Sequence, residues 1–327
     1  METLPTVNFV EPSVTILHEN DPFKMIELAG RTCYKSEDKI TNDSALKFVK
    51  ALLKNGHFAM IEHAVLTFRL TSENKEVLDK YASVLDEDDF IRVTFEPEFG
   101  RLLVSADVRA ILQRNWYDPI YKATIEKYPD FALIIYPGDD KLSIEFLNNI
   151  EAEIVDAKKI KDLTEDEFYN HVSLSARFIT DRGVTHEIVR HRLFSFAQES
   201  TRYCNYSKEK FGGHLTFCKP ATYDEWSENK KTCFNNFLLG VDDCYNYLTS
   251  DKDDSLTPQI ARAVLPNCLK TEIVVTGPAG EWKHFFNLRS KGVSGTPHPD
   301  MKKVADIAKT KMNNYLYSIK FDQKHHF

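Results

Sequence analysis

The sequence predicts an α/β chain of the α+β kind, with helices and strands interleaved, and three observations predict it. Phe234, Phe237, Leu238, Val241, Tyr245 and Leu248 keep helical spacing, which marks a core helix. Short runs at 64–71, 173–180 and 271–276 are rich in β-branched and aromatic residues and read as strands. The 327 residues are 42% hydrophobic and 28% charged, an ordinary globular composition. A chain of this length buries roughly three quarters of its unfolded surface, which excludes disulfide-stapled miniproteins, collagen and wholesale disorder. Length alone suggests two domains of ~150 residues or one large one.

Each element has its own justification. Residues 43–54 place Leu46, Val49 and Leu53 on one helical face, with Gly56 as the stop. Val65, Thr67 and Phe68 mark the strand at 64–71. Residues 72–170 mix acidic segments with short apolar runs and read as an insertion or subdomain, with possible elements at 99–112 and 131–136. Residues 1–71 and 171–327 then form one discontinuous domain. After the strand at 173–180, Asp181, Arg182 and Gly183 turn the chain into a helix running to about Arg192. Residues 194–207, rich in Ser, Thr, Asn and Gln, read as an ordered loop. Thr257 and Pro258 resemble an N-cap and first helical position. That short helix carries Arg262 and ends before Pro266. Helices at 280–289 and 301–317 close the chain.

Charge and cysteines limit the function. Lysine and arginine number 42 against 49 acids, a net charge of −7, which argues against a nucleic-acid-coating protein. The six cysteines (Cys33, Cys204, Cys218, Cys233, Cys244 and Cys268) form no CxxC pair and read as free thiols of a reducing, cytoplasmic compartment. The longest apolar run, at 131–136, is too short to span a bilayer.

The chemistry concentrates at 186–203. Between Arg182 and Lys210, six basic residues face three acids, reversing the sign of the whole chain. His186 and Glu187 open the segment as a zinc-protease motif would. The second histidine of that motif belongs four residues on, where Arg190 stands, so no metal site is expected. Arginine suits phosphate because its planar fork donates two bonds at once. The plain alternative is that these cations meet a helix C-terminus, worth about 0.3 to 1 kcal/mol. Ser200 lacks the GxSxG elbow of a hydrolase nucleophile. A second cluster is Trp282, Phe285, Phe286 and Arg289, at i, i+3, i+4 and i+7. An arginine on an apolar stripe either snorkels to the surface or needs a partner in a lined pocket.

Arg190-His191-Arg192, seven residues and Ser200 resemble the signature of the flavin-dependent thymidylate synthases (ThyX). Other segments are similar to that family in the same order: 29–34, 61–68, 261–266 and 286–289. The resemblance covers about 25–71 and 173–310. It implies a ThyX-like fold, a central, mostly antiparallel sheet flanked by helices, here with a large insertion. It implies that dUMP is methylated to dTMP, with methylenetetrahydrofolate as carbon donor and FAD reduced by NADPH as hydride carrier. It also implies a homotetramer with shared active sites and no nucleic-acid or membrane partner.

Carried over by residue, the resemblance assigns Glu187, Arg190, Gln198, Glu199, Ser200, Thr201, Arg202, Arg262 and Arg289 to dUMP. It assigns Arg190, His191, Arg192, Gln198, His284 and His63 to FAD, and makes Arg289 the catalytic residue that favours uracil ionised at N3. Two departures stand out. The family's strand near His63 lies much closer to the signature than here, and the stretch before Arg289 offers only His284 as a polar flavin contact. Rival readings are a related flavin-dependent methylase or hydroxymethylase of another pyrimidine nucleotide, and a non-catalytic nucleotide-binding homologue.

Overall fold

The computed structural model describes residues 6–86, 90–114, 119–134, 149–159, 163–250, 254–321 and 326–327. The chain begins with β1 (Phe9–Val10), β2 (Ser13–Leu17), α1 (Pro22–Tyr34), α2 (Ala45–Lys54) and β3 (Val65–Thr71). It continues through α3 (Lys75–Asp86), β4 (Ile91–Glu96), β5 (Arg101–Asp107), α4 (Val108–Arg114), α5 (Pro119–Lys127), β6 (Glu151–Val155) and α6 (Glu165–His171). The signature lies among β7 (Ser173–Asp181), α7 (Arg182–Ile188) and β8 (Ser195–Gln198). It is followed by β9 (Phe217–Cys218), α8 (Glu228–Ser250), α9 (Pro258–Ala261), β10 (Lys270–Pro278), α10 (Ala279–Phe286) and α11 (Pro299–Ser318).

Two antiparallel sheets organise these elements. The first has the order β2-β7-β10-β8, with Lys270–Pro278 paired along the whole of Ser173–Asp181. The second has the order β4-β5-β3-β6. A short parallel pair joins β1 to β9. The 72–170 stretch therefore shares a sheet with β3, which supplies the strand between β5 and β6. No described helix is long and apolar enough to cross a membrane.

The largest core lies between the first sheet and α6, α10 and α11. Phe178, Trp282, Phe285 and Phe286 are buried there, and the Trp282 indole donates to the Leu174 carbonyl at 3.1 Å. Burying each such aromatic removes large apolar area from water, about 1.5–3 kcal/mol per side chain. A second core packs α3 and α5 against the sheet containing β3. A third packs α1 on α2, where Gly30 is required: a Cβ there would lie 2.6 Å from the Phe48 ring. Asp21 caps α1 by accepting from the Phe23 and Lys24 amides, and Pro22 takes the first turn.

The structure corrects four expected boundaries. The helix expected to reach Arg192 ends at Ile188. The expected loop at 194–207 contains a four-residue edge strand, β8. The helix expected at 280–289 is α10, which ends at Phe286 and passes into a π-turn over Asn287–Lys291. The run at 131–136 belongs in part to a 3₁₀ turn, Pro129–Leu133, and residues 135–136 lie outside the described residues.

Candidate active site

The site is built where β7 hands over to α7. Asp181 caps α7, its carboxylate accepting from the Val184 amide at 2.7 Å. The helix then tightens into successive turns: Arg190 N–H reaches the Glu187 carbonyl, and His191 N–H that of Ile188. Arg190, His191 and Arg192 thus sit on a turn, where two arginines two positions apart are not separated by helical rotation. Phe194 re-enters the core and leads into β8. Its ring lies across Gly277 of β10, where any Cβ would collide with it.

Arg289 finds its partners at this turn. The π-turn carries it off the apolar stripe of Trp282, Phe285 and Phe286. Its Nη1 donates to Glu187 Oε2 at 2.8 Å, and its Nη2 to the Glu187 carbonyl at 3.3 Å. Its Nε donates to His191 Nε2 at 3.4 Å. A guanidinium has five N–H donors. These three bonds leave one N–H on each Nη free to donate to an imide or carboxylate oxygen. His191 is buried between Phe194, Phe285 and His284, and its Nδ1 meets Glu281 Oε1 at 3.1 Å.

The loop after β8 rests on a buried charge network. The Ser200 amide donates to the Cys33 carbonyl at 3.0 Å, tying the loop to the end of α1. Gln198 donates to the Thr185 hydroxyl at 2.9 Å. Glu199, only 2% exposed, accepts from Tyr206 at 2.8 Å and from Lys270 at 2.9 Å. Lys270 also holds Glu272, which in turn meets Lys35. Burial alone would raise the Glu272 carboxyl and lower the Lys270 ammonium, but their mutual attraction with Lys35 and Glu199 reverses both shifts. Burial beside Glu199 pushes the Cys33 thiol up to about 11 and the Cys204 thiol to about 12, so neither is a ready nucleophile.

The expected site residues therefore divide into groups. Glu187, His191, His284 and Arg289 are brought together. Arg190, Arg192, Arg202 and Arg262 are exposed, and Thr201 is buried. Arg262 begins the 3₁₀ turn after α9, and the segment beyond it is tied to α7 by the Gly183 amide on the Asn267 carbonyl at 3.1 Å. Two of the assigned residues face inward. Glu199, assigned to the nucleotide, lies beneath the loop with both carboxylate oxygens engaged. His63, assigned to the flavin, is 1% exposed and hydrogen-bonded to Thr276 at 2.8 Å, so it offers no surface in this chain. Burial holds its imidazole neutral, down to about 4, with the Phe196 carbonyl opposing.

Sequence reasoning missed Glu62, Glu281, Lys270 and Lys35. Glu62 accepts from Ser195 at 3.2 Å and from Arg109 at 2.6 Å, so the 72–170 stretch reaches the signature strand. The available signal was charge in otherwise apolar elements: Lys270 and Glu272 share one face of β10, and Glu281 lies three residues before His284. The fold also gathers a metal-capable trio that no sequence motif announces. Ligand atoms of His191, Glu281 and His284 lie within 4.8 Å of one another.

The chain is thus an antiparallel α+β protein in which an arginine-bearing turn is clamped to a second arginine by a carboxylate and a histidine. The family model described as thymidylate synthase complementing protein matches residues 15–76 and 147–314, and the chain belongs to that family. A flavin-dependent thymidylate synthase of Geobacter sulfurreducens is 35% identical over 108 residues, 33% of this chain and 43% of that one. Those of Corynebacterium efficiens (34% over 124 residues; 33% and 46%) and Mycobacterium tuberculosis (30% over 148 residues; 41% and 56%) are similar. The chain thus spans about half the length of the curated relatives it matches. Among solved structures, a UMP/dUMP methylase PolB from Streptomyces cacaoi bound with 5-Br dUMP aligns over 96% of each chain, with a TM-score of 0.39 and 13% identity. A Helicobacter pylori ThyX with FAD and dUMP aligns over 46% of this chain and 74% of that one, with a TM-score of 0.35 and 20% identity.

Proposed function

We propose that this chain methylates dUMP to dTMP, using methylenetetrahydrofolate as carbon donor and FAD reduced by NADPH as hydride carrier. Family membership and the names of its relatives support the reading. The observation that carries it is the Arg289 guanidinium, held on three N–H groups with two left to donate. Uracil presents acceptors at O2 and at an ionised N3 that such donors suit. A guanidinium there stabilises the ring ionised at N3, raising electron density at C5, where the new carbon bond forms.

Arg202, Gln198, Ser200 and Thr201 form the nucleotide loop, with Arg202 on the phosphate, and Arg262 approaches from α9. The exposed guanidiniums of Arg190 and Arg192 fit an anionic cofactor, and His191 and His284 line the same turn. FAD, when bound, supplies the hydride that completes the methyl group. The 72–170 stretch is an insertion whose Arg109 braces Glu62 beneath the site. Val189, Leu193, Ile260 and Val293 are 40%, 67%, 56% and 68% exposed, and each adjoins an arginine-bearing segment. Apolar surface so placed supports sites completed by other subunits of a homotetramer.

The test is a visible absorbance spectrum of the purified protein, repeated under anaerobic NADPH with and without dUMP, then tritium release from 5-³H-dUMP. A flavin band bleached by NADPH, with tritium release, is the expected outcome. Arg289→Ala should keep the flavin and lose most turnover; unchanged turnover would remove Arg289 from the reaction. A colourless protein that binds dUMP without turnover would establish the non-catalytic reading instead.

A further inference from the structure

We propose that Glu281 is a positioning residue for Arg289, acting through the tautomer of His191; the inference rests on the role given to Arg289 above. His191 has two ring nitrogens with opposite duties. Nε2 faces the Arg289 Nε–H at 3.4 Å and must accept. Nδ1 faces Glu281 Oε1 at 3.1 Å and must donate. Both conditions hold for one neutral tautomer, with the proton on Nδ1. An isolated histidine favours the other tautomer, with the proton on Nε2. The carboxylate of Glu281 is what selects the less common form.

The consequence reaches Arg289. Without Glu281, the Nε2 proton would point at the Arg289 Nε–H, donor against donor. The guanidinium would swing about its remaining bonds to Glu187, taking the two free N–H groups out of line. His191 cannot escape by rotating, because Phe194 and Phe285 hold its ring at centroid distances of 5.9 and 5.1 Å. The titratable and charged groups facing it are Glu281, His284 and Arg289, and Glu187 lies one bond further on. Glu281 also sits in the first turn of α10, where any acid gains from the helix dipole. The experiment must separate that structural benefit from the relay.

Three forms of the full-length protein are compared: wild type, Glu281→Gln and Glu281→Ala. Glutamine keeps an oxygen to accept from Nδ1–H but loses the charge that serves the helix dipole. Glu281→Gln is expected to stay within about threefold of wild type in kcat. Glu281→Ala is expected to lose about 10- to 100-fold in kcat and about tenfold in dUMP affinity by calorimetry. Added formate, which can enter the vacated carboxylate position, should restore at least several-fold of the kcat of Glu281→Ala. Equal activity in Glu281→Ala and wild type overturns the proposal. So does a Glu281→Gln variant as weak as Glu281→Ala, or the absence of formate rescue, since both mark a purely structural acid. If Glu281→Ala fails to fold, Glu281→Ser, whose short side chain cannot reach His191 Nδ1, takes its place in the same comparison. A wild-type protein that neither binds nor methylates dUMP refutes the proposed function, an outcome distinct from any difference among the variants.

Discussion

Glu199→Ala sets two assignments of one residue against each other. By resemblance, Glu199 touches the nucleotide; by geometry, it supports the loop from below. Its removal leaves the buried Tyr206 hydroxyl without the acceptor it has at 2.8 Å. It also takes from Lys270 a carboxylate at 2.9 Å, though Lys270 keeps Glu272 at 2.7 Å. Breaking a buried ion pair costs about 3–5 kcal/mol. The remaining Glu272 places this case at the low end, about 3 kcal/mol. At roughly 2.1 cal/mol/K per residue, 327 residues give an unfolding entropy near ~0.7 kcal/mol/K. Tm should therefore fall by about 4 °C. Scanning calorimetry at pH 7 measures it, and dUMP titration of the folded variant measures the other assignment. An unchanged Tm with lost dUMP affinity would refute the geometric reasoning and return Glu199 to the nucleotide.

Two other perturbations test neighbouring parts of the structure. Gly277→Ala should destabilise the protein by about 1–3 kcal/mol through collision with Phe194. Adding Phe194→Leu should recover part of that in urea unfolding, and additive losses would show that the two residues do not meet. The His63 imidazole has its value in the fold near 4 against an ordinary 6.5, so the fold accepts only the neutral ring. That stability is complete above pH 6.5 and is lost as pH falls toward 4, by up to about 1.4 kcal/mol per pH unit. His171, pushed down to about 3 by burial and then by Arg92, adds a similar slope. His63→Asn should flatten the urea-derived stability profile between pH 6.5 and 4 by one histidine's share; an unchanged slope would mean that His63 is charged or solvated in the folded protein.

Local chemistry made much of the fold legible. The strand of 64–71 is β3, and that of 271–276 lies within β10, because runs rich in β-branched and aromatic residues pack well on a pleated surface. Helix ends were less legible. The apolar and charged residues at 186–192 suit a helix, yet the chain leaves it at Ile188 so that Phe194 can reach Gly277. That contact joins residues 83 apart in sequence, and no window of neighbouring residues contains it.

For the candidate site, the sequence by itself singled out the side chains: the signature arginines, its histidine and serine, and an arginine stranded on an apolar stripe. Residue type and spacing suffice there, because an anion needs donors and a buried charge needs a partner. Tertiary structure decided who those partners are. Arg289 meets Glu187 and His191, 102 and 98 residues away along the chain, and Glu281 meets the other ring nitrogen of His191. It also decided that Glu199 and His63 turn inward and that Arg109, from the 72–170 stretch, braces Glu62. Hydrogen bonding and burial act through space over a few ångströms, and only the folded chain brings such distant residues within that range.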